Sequence, residues 1–149
     1  MTFYGQPVVD FVARSIPGCE RGFGLCQAIG FGSGAIDAGV VYHNWSPETG
    51  VIELSAASTK RDWLTRARLL EIFAYPFDHI GCRIAVARIG EHNARARRIW
   101  RSLGADEFVI PLLRSPQEAE VIYTLTRERW KSGRFMRGTN GQTVSAKAA

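Results

Sequence analysis

The sequence is poor in the residues that cross-link a chain or anchor it. Its 149 residues include three cysteines, Cys19, Cys26 and Cys82, an odd number with no close pair, which supports neither a disulfide framework nor a zinc knuckle. Reduced thiols fit best, with Cys26 and Cys82 buried in strands. No run approaches the roughly 18 apolar residues of a membrane span, and the first residues lack the charged-then-apolar pattern of a signal peptide. A soluble, unexported, cytoplasmic chain without membrane contact is expected. The three histidines, His43, His79 and His92, stand singly, so they read as structural or surface residues with no metal role. There is no internal repeat.

What is present fits one globular domain over residues 1–130, with an ordinary apolar fraction of 46%. Nineteen Lys and Arg against fourteen Asp and Glu give a net charge of +5, which favours anionic partners: nucleic acid, an acidic protein or a phosphorylated cofactor. The arginines group at 61–68, at 83–101 and after 127, a concentration that suggests one anion site more than a uniformly basic coat. Nucleic acid is the weaker choice, because the interleaved aromatics and known motifs of such binding are missing.

Residues 7–16 read as a helix with Val8, Phe11, Val12 and Ile16 on one face, stopped by Pro17-Gly18. Strands follow at 25–31, 35–44 and 51–57, joined through Gly32-Ser33-Gly34 and Ser46-Pro47-Glu48-Thr49-Gly50, as an antiparallel meander. A basic turn, Ser58-Thr59-Lys60-Arg61-Asp62, leads into an amphipathic helix in which Ala67, Leu70, Phe73, Ala74 and Phe77 share a face. Thr59 and Asp62 have the spacing of a capping box, and Pro76 should end or kink the helix near Tyr75. Residues 82–89 alternate as a strand, expected to run parallel to the strand before the helix. A second helix over 92–104 puts Asn93, Ala96, Ile99, Trp100 and Leu103 on one face and Arg95, Arg97, Arg98 and Arg101 on the other, with Gly104 capping its end. Residues 107–113 and 120–126 read as two last strands, and the glycine-rich polar stretch 131–149 as a flexible tail.

The strand–turn–helix from Val51 to Phe77 carries two readings. Strand-to-helix connections with solvated charges are common in α/β domains. Equally, the first N–H groups of a helix and the positive end of its dipole form an anion site, and Lys60, Arg61 and Arg66 crowd that point.

Two passages resemble the GNAT family of acyl-CoA-dependent N-acetyltransferases. Asn93-x-x-Ala96-x-x-Ile99-Trp100-x-x-Leu103-Gly104 is similar to the family's asparagine, alanine, aliphatic-aromatic pair and Leu-Gly. Arg61-x-x-Leu64-x-Arg66-x-x-Leu69-Leu70 keeps the arginine and leucines of the pyrophosphate loop but neither of its glycines. The passages 39–45, 75–77 and 121–130 also resemble a compact, often phage-borne branch related to ribosomal-protein acetyltransferases. The resemblance implies an α/β (α+β) GNAT-like fold: a mixed, mostly antiparallel twisted sheet whose central parallel pair splays apart, flanked by helices, with residues 58–104 as the CoA-binding core.

It further implies acetyl-CoA as cosubstrate, without metal, and an amine acceptor that is not identified. The pantetheine arm would pair with Leu54, Ser55 and Ala56. The diphosphate would lie over Arg61, Asp62, Trp63, Leu64, Thr65 and Arg66, with Asn93, Arg97 and Trp100 completing the cofactor site. Acetyl transfer needs a neutral amine, a donor for the oxyanion and a route for the proton. The oxyanion donor would be a backbone N–H near Ser55 or Ala56. Glu53 is the candidate base, or else it faces water on an alternating strand. The family's acidic tyrosine is replaced by Trp100, whose indole N–H is no useful acid, so the thiolate leaves unaided, takes a proton from water, Ser102 or Tyr123, or the chain is a non-catalytic module for a protein or nucleic-acid partner. Trp100 also reads as core, and Asn93 as a helix N-cap. A protein partner and oligomerisation stay open.

Overall fold

The computed structural model describes residues 1–137. The chain groups into two compact units, one spanning Met1–Cys82 and one beginning at Arg83. The first contains β1 (Thr2–Tyr4), α1 (Gln6–Ser15), β2 (Cys26–Phe31), β3 (Ala38–Ser46), β4 (Val51–Ser58) and α2 (Arg66–Ala74), followed by a π-helical segment, Tyr75–Ile80.

The meander is present: β2 pairs antiparallel with β3, and β3 with β4. The third strand begins at Ala38 and not at residue 35, because Gly32 to Asp37 make a wider loop closed by Asp37 N–H to Phe31 O at 2.9 Å. Strand β1 adds to the edge of β2, with Thr2 opposite Phe31. Three residues are too few for an alternation to show in sequence. Helix α1 buries Val8, Val9, Phe11, Val12 and Ala13. It lies close to the sheet because β2 and β3 offer glycines there: a Cβ on Gly39 would sit 2.8 Å from Val8 Cγ1 and 2.9 Å from Val12 Cγ2.

Helix α2 starts later than the expected capping box. Its N-cap is Thr65, whose Oγ1 accepts from Arg68 N–H at 3.2 Å, so Thr59 and Asp62 belong to a loop. The buried face is Leu69, Ile72 and Phe73, while Ala67 is exposed; the apolar stripe is turned from the one periodicity suggests. Pro76 does interrupt the α-helix, but the chain continues as a π-turn with Pro76 and Phe77 buried. Ile72 lies four residues before Pro76, which has no N–H to give. The Ile72 carbonyl accepts instead from the buried Tyr42 hydroxyl at 2.6 Å.

The second unit contains β5 (Ile84–Gly90), α3 (Ala94–Ser102), β6 (Asp106–Ser115), β7 (Glu118–Thr126) and α4 (Arg127–Lys131). Strand β7 pairs antiparallel with both β5 and β6 and buries Val121, Tyr123 and Leu125. Cys82 is buried but precedes β5 and lies in no strand. Residues 127–130 are helical and do not extend the last strand; Thr126 caps them, its Oγ1 accepting from Arg129 N–H at 3.1 Å. Within the stretch expected as a tail, Phe135 stacks on Trp130 with centroids 6.3 Å apart. The remainder, 138–149, lies outside the described residues. Among the described residues no helix is long and apolar enough to cross a membrane.

Candidate active site

Strand β4 separates two sets of side chains. Ile52 and Leu54 are buried on one face, so alternation puts Glu53 and Ser55 on the other. The register with β3 places His43 opposite Glu53 and Val41 opposite Ser55, so His43 joins Glu53 and Ser55. The residue is 6% exposed, with Nε2 2.9 Å from Ser55 Oγ and 3.8 Å from Glu53 Oε2. Asn44 Nδ2 donates to Glu53 Oε1 at 2.9 Å, and the Phe23 ring lies 4.8 Å from the imidazole, centroid to centroid. Cys26 is the cross-strand partner of His43 on β2, its thiol pushed up by burial.

Burial lowers the His43 pKa below the ordinary 6.5, and the Glu53 carboxylate opposes that shift. The imidazole is therefore neutral at pH 7 and keeps a lone pair. Of the three histidines, expected as structural or surface residues, His79 and His92 are exposed and His43 is the centre of a buried polar cluster. Glu53 is not a plain solvent-facing strand residue either, since its side chain is 20% exposed and held by two neighbours.

The basic turn is an extended loop with an internal anchor. Trp63 is buried, its ring 6.3 Å from Phe31. Arg68 donates from its guanidinium to the Trp63 carbonyl at 2.6 Å and lies over the Phe31 ring at 4.8 Å. Lys60 is paired with Asp37 at 3.1 Å. Arg61, Asp62, Thr65 and Arg66 are exposed and Leu64 is half-buried. Because α2 begins at Arg66, residues 62–65 precede the helix, and Arg68 N–H already belongs to Thr65. A cleft of about 320 Å³ opens beside the loop, lined by Ser33, Asp37, Lys60, Asp62, Thr65 and Arg68 among others.

In the second unit, Asn93 is the N-cap of α3, its Oδ1 accepting from Ala96 N–H at 3.2 Å. Arg97 donates to Tyr123 Oη at 3.2 Å, to the Glu91 carbonyl at 2.9 Å and to Glu107 at 3.3 Å. The Tyr123 hydroxyl donates to Glu107 Oε2 at 2.7 Å. Arg101, then the Tyr123 hydroxyl, hold the Glu107 carboxyl down at about 2. Burial and its bond to Glu107 raise the Tyr123 phenol, which makes it a weaker acid than a free tyrosine. Trp100 is buried and stacked on Tyr123 at 6.3 Å, and the Ser102 hydroxyl donates to Ile99 O at 2.6 Å. Glu107, which no sequence motif marks, joins the cluster as the cross-strand partner of Tyr123. Among the described residues no group of three His, Cys, Asp or Glu is placed to hold a metal ion.

No protein-family profile matches the chain, and no curated protein matches its sequence. Solved structures do match. A GCN5-related N-acetyltransferase from Brucella melitensis shares 17% identity at a TM-score of 0.62, over 78% of this chain and 56% of that one. A mutant spermidine N-acetyltransferase from Vibrio cholerae shares 6% identity at a TM-score of 0.69, over 89% of this chain and 98% of that one. A Salmonella typhimurium protein assigned as an acetyltransferase and solved with its cofactor acetyl-CoA shares 16% identity at a TM-score of 0.57, over 68% of this chain and 65% of that one. The chain spans 64% and 62% of the length of two further acetyltransferase structures that it resembles. At these identities the likeness is one of architecture, and it gives the chain the α/β fold of the GNAT acetyltransferases.

Proposed function

We propose that the chain is an acetyl-CoA-dependent N-acetyltransferase acting on a primary amine of a protein or a small molecule. One observation carries this reading: Glu53 and Ser55 of β4 stand beside the buried His43 of β3, and β4 is the strand whose Leu54-Ser55-Ala56 backbone the GNAT resemblance gives to the pantetheine arm. A thioester lying along that strand finds backbone N–H groups for its oxyanion and, beside them, groups able to take an amine proton. The exposed Arg61 and Arg66 and the start of α2 supply charge and an N–H for the diphosphate. Trp63 and Arg68 fix the loop that glycines shape elsewhere in the family. Asn93, Arg97 and Trp100 keep the cofactor roles that the resemblance implies, and the passages at 39–45, 75–77 and 121–130 favour the compact, phage-type branch.

Calorimetry with acetyl-CoA tests the reading. Saturable binding is expected with a Kd at or below about 1 mM, roughly −4 kcal/mol, weakened in Arg61→Ala. No heat of binding at millimolar acetyl-CoA overturns it.

A second reading, a non-catalytic module for a protein or nucleic-acid partner, rests on Trp100, which is buried against a Tyr123 whose hydroxyl is committed to Glu107. Thiol release from acetyl-CoA with a mixture of spermidine, lysine amide and glycinamide decides between the two. Turnover on any of them removes the second reading.

A further inference from the structure

The proposed acetyl transfer leaves one requirement unassigned, a group that takes the proton of the attacking amine. Glu53 is the obvious choice on β4, yet its Oε1 already accepts from Asn44 at 2.9 Å. Ser55 and His43 are arranged differently. Their polar atoms lie 2.9 Å apart, and in the Nδ1-protonated tautomer the Ser55 hydroxyl donates to the Nε2 lone pair. We infer that Ser55 and His43 form the proton relay of this site, Ser55 touching the amine and His43 acting through it, with Glu53 set to face the imidazolium that results. This rests on the proposed function, because it presumes a thioester along β4.

The step balances. The amine nitrogen attacks the thioester carbonyl, the N–C bond forms, and the C–S bond breaks as the tetrahedral intermediate collapses. As the nitrogen loses its proton to Ser55 Oγ, Ser55 passes its own to His43 Nε2. The imidazolium returns that proton to solvent, and the departing thiolate takes one from water, so no oxidant, reductant or second reactant is needed. The groups that face His43 are Glu53 on β4, 3.8 Å away, and Cys26 on β2, a neutral thiol at pH 7 because burial raises it. Phe23 covers the ring with a tilted aromatic contact. Burial keeps the imidazole neutral and basic at pH 7, and Glu53 stabilises it once charged.

The test is thiol release from acetyl-CoA with the same amine mixture, followed from pH 5 to 9 beside calorimetric acetyl-CoA binding. Wild type is expected to show an acidic limb below the ordinary histidine value of 6.5. His43→Asn should lower the rate about 10²- to 10⁴-fold and abolish that limb, with acetyl-CoA affinity unchanged. Ser55→Ala should cut the rate similarly, and Glu53→Gln should move the limb to lower pH. A limb that persists unmoved in His43→Asn overturns the relay while the acetyltransferase reading stands. Absence of acetyl-CoA binding in wild type overturns both. Should His43→Asn not fold, Ser55→Ala decides: a wild-type rate overturns the relay, and a rate lost at unchanged acetyl-CoA affinity supports it.

Discussion

The Ile72 carbonyl and the Glu107 carboxylate show how single polar atoms are provided for in this fold. Pro76 deprives Ile72 of its α-helical partner, and Tyr42 fills the place from thirty residues away. Removing only that hydroxyl, in Tyr42→Phe, leaves a buried carbonyl short of a donor and is expected to destabilise the protein by about 1–2 kcal/mol in urea unfolding. Glu107 gathers Arg97, Arg101 and Tyr123, and its carboxyl is held at about 2 against an ordinary 4.5. A depressed carboxyl contributes stability that is fully present above its unfolded value and is lost as pH falls through its folded one. Glu107→Gln should therefore lower stability at pH 7 by about 1–2 kcal/mol, a figure reduced for the partial exposure of the pair. The gap between the two proteins should close between about pH 4.5 and pH 2. An unfolding series at pH 7, 4 and 2.5 that shows a constant gap would assign the difference to packing and not to charge.

At the scale of elements, the two helix starts behave alike although sequence treats them differently. Asn93 caps α3 as Thr65 caps α2, and the capping spacing at Thr59 and Asp62 caps nothing because α2 begins only at Arg66. Asn93→Ala should destabilise the protein by about 1 kcal/mol; if Asn93 also serves the cofactor, acetyl-CoA affinity measured by calorimetry falls with it, and if it is a cap alone, affinity holds. Strand β6 is the other element whose character the sequence conceals. Its residues read as a strand, and although many are apolar, Phe108, Val109, Leu112 and Leu113 are 47–65% exposed. Strand β6 pairs with β7 only as far as Ile110, resuming at Ser115. Pro111 sits where that pairing stops, on an edge where the missing N–H and fixed φ discourage another strand from adding. Pro111→Val should raise concentration-dependent aggregation, read by light scattering during refolding; an unchanged scattering trace would show that the edge needs no such guard.

At the scale of the molecule, order and type of most elements were legible because periodicity, glycine turns and Gly104 all speak locally. The meander, both main helices and the strand after Gly81 follow from that. What was not legible depends on partners distant in sequence. Counting back from the turn, Ser46 opposite Val51 would set His43 against Leu54. A register shift between His43 and Ser46 sets it against Glu53 instead, with Asn44 at a positive φ of 52° in the irregular stretch. One residue of slip moves a side chain to the other face, which is why the His43 cluster was hidden while Glu53 and Ser55 were not. Trp63 was hidden likewise, since nothing local marks it as the loop's anchor.

The charge of the whole chain bears on the last expectation. A ligand that binds only the folded state raises stability by about 2.7 kcal/mol at a hundred times its Kd, which for a chain of this length is roughly a 5–10 °C rise in Tm. Acetyl-CoA should produce such a shift. If exposed arginines at 61 and 66 hold its diphosphate on a chain of net charge +5, raising the salt from about 0.1 M to 1 M, which shortens the screening length from about 10 to 3 Å, should shrink the shift markedly. S-acetylpantetheine, which carries the thioester and arm without the diphosphate, should bind more weakly and with little dependence on salt. Equal salt dependence for the two would show that the diphosphate makes no salt-sensitive contact, and would overturn the assignment of the loop after β4 as its site.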